Sequence, residues 1–313
     1  MKTVSDKLSS KKNSWRTNSI LKNYDLYIML LLPFSIIIVF SYIPMYGILI
    51  AFKDYVPSLG IVGSEWCGLD YFKMFFKSRY AALLIKNTLG ISFYSLAVSF
   101  PLPIILALML NEVKNTKFKS TVQTITYAPY FISTVVMCGM IIIFLTPEMG
   151  IINVIIKLCG GKSISFLQRP EFFKTIYVLT GAWQTTGWSS ILYIAVLTNV
   201  DEEIKEAATI DGANIMQKII HINIPCLVPT MIIMLIMSLG GIMNVGFEKI
   251  YLLQNGLNMD TSDVISTYVY RAGLVDARYG FSTAVGLFNS LVNFILLVSV
   301  NYFSKAISDT SLW

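Results

Sequence analysis

The sequence predicts an all-α, polytopic membrane protein with six transmembrane helices. Three observations carry that reading. The chain is 55% hydrophobic, only 13% charged, and has a mean hydropathy of +0.65; a soluble domain carries about a quarter charged residues. Six apolar stretches reach the roughly 20 residues that a helix needs to cross the hydrocarbon layer. The first 22 positions hold Lys2, Lys7, Lys11, Lys12, Arg16 and Lys22 against the single acid Asp6. A basic tail ahead of the first apolar run favours a cytoplasmic start. The net charge of +6 is therefore a membrane-flank signal and not a nucleic-acid footprint.

Taken in order, residues 1–26 form the expected cytoplasmic tail. It is too long before its apolar run, and lacks a small-residue cleavage site, for a signal peptide, so the first span is expected to stay in place. The spans are expected at 27–51, 89–110, 122–146, 175–199, 227–247 and 283–304. Pro33 and Pro44 interrupt the first, Pro101 and Pro103 the second, and Pro129 the third. Such breaks are tolerated in a bilayer where neighbouring helices or water satisfy the freed backbone groups. Six crossings from a cytoplasmic start bring both termini inside, along with the 111–121 segment and its Lys114, Lys117 and Lys119. The loops 52–88, 147–174 and 248–282 then face out. Clusters such as Trp66, Tyr71, Phe72, Phe75 and Phe76 fit an interfacial aromatic belt.

Between the fourth and fifth spans lies a polar, small-residue stretch at about 200–226. Asp201 is placed to cap a helix whose first turn carries Glu202 and Glu203. Ala207 and Ala208 are small enough for another surface to approach the backbone. Asp211-Gly212 signals a turn, because glycine accepts the positive φ that ends a helix. Ile215, Ile219 and Ile222 then repeat at i, i+4 and i+7 on a second short helix, and Pro225 and Pro229 bracket the return to the membrane. The expected product is a helix-turn-helix elbow suited to docking in a partner's groove.

The elbow reads Glu206-Ala207-Ala208, three residues, Gly212, nine residues, then Ile222-Asn223-Ile224-Pro225. This resembles the EAA loop of permease subunits in ATP-binding-cassette importers, with Ile224 where that pattern has leucine. Further segments resemble the carbohydrate-uptake, LplB-like branch of that family: Pro44-Met45-Tyr46-Gly47, Phe100-Pro101-Leu102-Pro103, Leu110-Asn111-Glu112, Gly246-Phe247-Glu248, Ser262-Asp263-Val264 and the terminal Ser311-Leu312-Trp313. The resemblance implies an importer permease (MetI-like) core over 27–313 and multi-pass residence in a bacterial cytoplasmic membrane. It implies coupling to the ATPase through Glu206, Ala207, Ala208, Asp211, Gly212, Ile222 and Pro225. The implied partners are a second homologous permease, two copies of a cytoplasmic ATPase carrying the ATP and Mg, and an extracytoplasmic solute-binding protein. The branch points to oligosaccharides or polysaccharide fragments; a peptide or polyol is the alternative within the class.

No catalytic equipment is legible. Gly161-Lys162-Ser163 resembles the end of a phosphate-binding loop, but Ile156 stands where its first glycine belongs and the topology puts it outside, so a surface turn is expected. Ion-coupled secondary transport would need ionisable residues in the spans, which are nearly free of them. Metal spacing is lacking; His221 reads as a satisfied polar residue, Cys138 and Cys226 as small buried hydrophobes, and Cys67 and Cys159 as loop residues. Polar and aromatic residues within spans default to function. The expected pathway set is therefore Trp183, Gln184, Trp188, Tyr193, Asn244, Glu248, Asn289 and Asn293. Aromatic faces stack on sugar C–H surfaces, and amides both donate to and accept from hydroxyls.

Overall fold

The computed structural model describes residues 23–307, which fall into two compact units, Met1–Gly68 and Leu69–Trp313. The basic residues up to Lys22 and the terminal Ser311-Leu312-Trp313 lie outside the described residues.

The first unit is led by α1, Tyr24–Phe52. No side chain between Tyr24 and Met45 is buried, and a helix apolar on every side calls for an apolar surrounding. At 29 residues it measures about 43 Å, enough to cross a bilayer. The helix widens to a π turn at Ile38–Tyr42, just before Pro44, whose missing N–H and fixed φ disturb the preceding turn. Then β1 (Lys53–Asp54) pairs antiparallel with β2 (Glu65–Trp66). Phe52 stacks on Trp66 at 5.8 Å, and the Lys53 ammonium donates to the carbonyls of Ile61 and Ser64. The expected loop after the first span thus begins as a closed hairpin.

The second unit is helical. An amphipathic α2 (Asp70–Lys77) buries Phe75 and leads into α3, Arg79–Glu112. The Ser78 hydroxyl caps α3 by accepting from Ala81. Next, α4 (Thr116–Phe131) meets α5 (Thr134–Phe144) at an angle of 101°. The single span expected at 122–146 is therefore two helices. Pro129 ends the first in a 3₁₀ turn, and Ser133, in extended backbone, starts a new helix by capping Val136.

A short α6 (Ile151–Leu158) ends in a turn through Gly160, at φ +82°. Gly161-Lys162-Ser163 follows this turn with no strand before it, so it is a helix-end turn and not a phosphate cradle. The central α7 (Pro170–Thr198) runs 29 residues from a proline in its first turn. It packs on α3 and α4; at Gly187 an added Cβ would fall inside the contact radius of the Thr126 carbonyl oxygen, so only glycine permits that approach.

After α8 (Glu202–Ile210), α9 (Ile215–Gly240) runs unbroken into the bilayer-length segment. The expected separate second elbow helix is thus the first turns of the fifth span, with a π turn at Ile219–Asn223 ahead of Pro225. That span ends at Gly240, earlier than 247. Residues 248–282 are no open loop. They fold back as α10 (Phe247–Leu253), one turn at Met259–Ser262, and α11 (Ile265–Tyr270), before α12 (Tyr279–Ile307) closes the unit. Asp263 pins this segment. Buried, it accepts from Thr267 at 2.8 Å and from Arg271 at 2.7 Å, while its backbone carbonyl accepts from Asn87 at 3.1 Å. A buried carboxylate is tolerable because charge and hydrogen bonds compensate it.

Among the described residues, four helices are long and apolar enough to cross a membrane: α1, α3, α9 and α12. Counting the bent α4–α5 pair as one span makes five. The expected six is not reached on that measure because α7, though long enough, is diluted by threonine, serine, glycine and Gln184. Cys226, expected to be buried, is exposed on α9, while Cys138 is buried; Cys67 is half-buried and Cys159 is exposed. The exposed His221 engages the Gln217 carbonyl through Nδ1 at 3.0 Å.

Candidate coupling elbow and translocation cavity

The elbow is built by local rules. The Asp201 carboxylate accepts from the Glu203 N–H at 3.0 Å and starts α8. The helix ends in a left-handed turn: Gly212 sits at φ +79°, and the Ala213 N–H donates to the Ala208 carbonyl at 2.9 Å. Nothing stands within 4 Å of a Cβ built on Gly212, so its conformation, not crowding, requires glycine. Asn214 and Gln217 then form a reciprocal capping box that starts α9. The Lys218 ammonium donates to the Thr209 hydroxyl at 2.8 Å, closing the two arms on one another.

Between the arms lies a concavity of about 430 Å³. Of the expected coupling residues, Ala208, Asp211, Gly212 and Ile222 line it. Glu206 and Ala207 are exposed on α8, and Pro225 is exposed at the root of α9. The surrounding apolar surface is open: Ile210 is 86% exposed, and Ile215 and Met216 are about as open as each other at 60% and 62%. A greasy rim that finds no cover among the described residues fits a docking element. A residue with no role assigned from sequence anchors the elbow. Glu112, the last residue of α3, accepts from the buried Asn223 amide at 3.1 Å.

A second concavity, of about 320 Å³, opens between α3, α7, α9 and the turn after α9. Ser92, Ser95 and Ser99 face it from α3, one stripe at i, i+3 and i+7. Tyr177, Thr185, Ser189 and Tyr193 face it from α7, and Asn244 from the turn. Its polar lining is hydroxyl and amide, with no charged side chain. The serine stripe is legible as spacing in the second apolar stretch, where apolar length alone marks only a span.

The expected pathway residues separate. Tyr193 and Asn244 line the cavity. Asn289 and Asn293 both donate to the Asn244 Oδ1, at 3.2 and 3.0 Å, and Asn293 in turn accepts from the Met243 N–H at 2.9 Å. Three amides that sequence placed on two spans thus form one cluster. Gln184 instead donates to the Ile132 carbonyl at 2.9 Å and holds the α4–α5 break. Trp188 stacks on Tyr130 with ring centres 4.6 Å apart. Trp183, 52% exposed, lines an apolar groove with Leu102, Ile105 and Met109. Glu248 is exposed in the first turn of α10. Beside it Lys249 is buried; its ammonium donates to the Tyr177 carbonyl at 3.1 Å and lies 5.0 Å from that ring's centre. Burial pulls the Lys249 pKa down to about 8.

Comparison with known proteins gives this geometry a family. Residues 99–309 match the family described as binding-protein-dependent transport system inner membrane component. Protein LplB of Bacillus subtilis (strain 168) is 42% identical over 288 residues, covering 92% of this chain and 91% of that protein. The polygalacturonan/rhamnogalacturonan transport system permease protein YteP of the same organism is 41% identical, covering 92% and 90%. Among solved structures, a chain of a bacterial alginate ABC transporter, in complex with its alginate pentasaccharide-bound periplasmic protein, is 40% identical. It superposes with a TM-score of 0.87 over 94% of this chain and 99% of that one. The protein is a multi-pass inner-membrane transport subunit, not an enzyme, and it belongs to the family of inner-membrane components of binding-protein-dependent transport systems.

Proposed function

We propose that the chain is the permease subunit of an ATP-driven importer of oligosaccharides or polysaccharide fragments. The observation that carries the substrate class is the lining of the 320 Å³ cavity: hydroxyls and an amide cluster, free of charged side chains. Sugars offer hydroxyls that both donate and accept, and such a lining meets them in kind. Two relatives, a polygalacturonan/rhamnogalacturonan transport permease and an alginate transporter, support the same class.

On this reading α1, α3, the broken α4–α5 pair, α7, α9 and α12 are six crossings, and both termini face the cytoplasm. The elbow is the grip of a separate ATPase that carries ATP and Mg. A second, homologous permease completes the pathway, and an extracytoplasmic binding protein delivers the sugar. Closure of two ATPase copies moves the elbow, and its Asn223–Glu112 link passes that movement to the end of α3. The ligand biases a two-state element; no chemistry occurs in this chain.

The test is uptake in a strain lacking the gene and complemented with it. Labelled galacturonic-acid and arabinose trisaccharides are offered beside a tripeptide and a polyol. Uptake of a saccharide only with the complementing gene is expected. Gene-dependent uptake of the peptide or polyol alone would overturn the assignment.

A further inference from the structure

Beyond the central cavity, a third concavity of about 430 Å³ lies between α10, α11 and α12. Phe247 and Tyr270 form part of its wall, with ring centres 4.9 Å apart, and Tyr251 braces both at 5.4 and 5.1 Å. Ser266, Ser282 and Thr283 add hydroxyls to the lining. The Ser282 and Thr283 hydroxyls donate to the Tyr279 carbonyl at 3.1 and 2.7 Å, which leaves their oxygens able to accept. The Ser266 hydroxyl differs: its oxygen is buried and has no hydrogen-bond partner in the fold. A buried hydroxyl without a partner is costly unless a guest supplies one. No charged side chain lines the site.

This site abuts the pathway. Asn244, Val245 and Gly246 line the central cavity, and the next residue, Phe247, lines this one, so one short turn of backbone separates them. Among the described residues no other concavity combines a wall of clustered aromatic rings with an unpartnered buried hydroxyl.

We propose that this outer concavity is a second saccharide subsite, which holds a sugar ring against Tyr270 and Phe247 and, once the Ser266 hydroxyl rotates from its buried position toward the concavity, hydrogen-bonds it through Ser266 before the ring enters the central cavity. The inference rests on the importer reading above. Ring C–H surfaces stack on the aromatic faces, and a ring hydroxyl supplies the partner that Ser266 lacks. The lining, without charge, recognises the ring and its hydroxyls and not a carboxylate.

The test uses the full-length chain, assembled with its partner subunits in lipid nanodiscs and without the binding protein. An arabinose trisaccharide, which carries no charge, is the probe, followed by saturation-transfer NMR and titration. Binding is expected, weakened about fivefold or more by Ser266→Ala and by Tyr270→Leu. Tyr270→Phe, which keeps the ring, should bind as the unaltered protein does. Asn244→Ala, in the central cavity, should impair uptake yet leave this outer binding component. Unchanged binding by intact Ser266→Ala and Tyr270→Leu assemblies would overturn the subsite, as would uptake by an unaltered complex that binds no trisaccharide. If Tyr270→Leu loses partner subunits while Ser266→Ala binds normally, the concavity is a subunit contact and the proposal fails. If the unaltered complex imports no saccharide at all, the importer reading itself fails, a result distinct from the others.

Discussion

Gly212 carries the sharpest constraint on a single residue in the elbow. Its φ of +79° is a conformation that a Cβ opposes by roughly 1–2 kcal/mol, and the open space around it means that no clash adds to that figure. Gly212→Ala should therefore unsettle the turn without harming the membrane core. The expected outcome is normal membrane insertion with ATPase co-purification and uptake reduced about several-fold. Gly212→Asn should retain more of both, since asparagine enters the left-handed region more readily. Equal performance by alanine and glycine at this position, read by co-purification and uptake together, would show that the turn geometry does not matter to coupling. The turn was legible in sequence because the αL position after a helix has a residue signature. The roles of Gln184 and Trp188 were not. Both are polar or aromatic residues in a span, and nothing local tells a side chain that faces a cavity from one that props a neighbouring helix break at Ile132 or stacks on Tyr130.

At the scale of elements, the contact of α7 with α4 rests on Gly187. An added methyl would meet the Thr126 carbonyl, so the helices must part or bend. Overpacking of this kind costs on the order of 1–3 kcal/mol. Gly187→Ala should lower the thermal midpoint of the detergent-solubilised protein by several degrees and reduce transport; an unchanged midpoint would mean that the crossing relaxes at no cost. Apolar runs named most of the long helices from sequence, because a span must hide its backbone and shield its length from water. They could not name the α4–α5 break, since the 122–146 run is apolar on both sides of it and only Pro129 and Ser133 mark the corner. Those runs also divide α9 into two elements, because Pro225 and Pro229 look like interruptions, yet the helix runs through both, with a π turn at Ile219–Asn223 ahead of Pro225. The built segment after α9 was hidden for a different reason. Asp263, Arg271 and Thr267 look like loop polarity until Asn87, some 176 residues away, is seen to join them.

For the whole molecule, that same α4–α5 break decides the topology. If the pair crosses the membrane as one broken span, Ser163 follows three crossings and Thr209 follows four. Ser163 then faces out and the elbow shares the side of the basic amino-terminal tail. If the pair instead dips in and returns, both positions change sides, and the elbow is stranded away from any cytoplasmic ATPase. The break of 101° is compatible with either path. The charges are not indifferent: Lys114 precedes α4 and Lys117 and Lys119 lie in its first turn, as the positive-inside rule wants for a cytoplasmic end, whereas the segment after α5 sets Lys157, Lys162 and Arg169 against Glu148 and Glu171. Single cysteines at Thr209 and Ser163, placed in a background free of Cys67, Cys138, Cys159 and Cys226, would be treated with an impermeant thiol reagent in intact cells. Labelling of Ser163→Cys alone is expected, with Thr209→Cys reacting only after the membrane is opened. The reverse pattern would make the α4–α5 pair re-entrant and remove the elbow from the ATPase side.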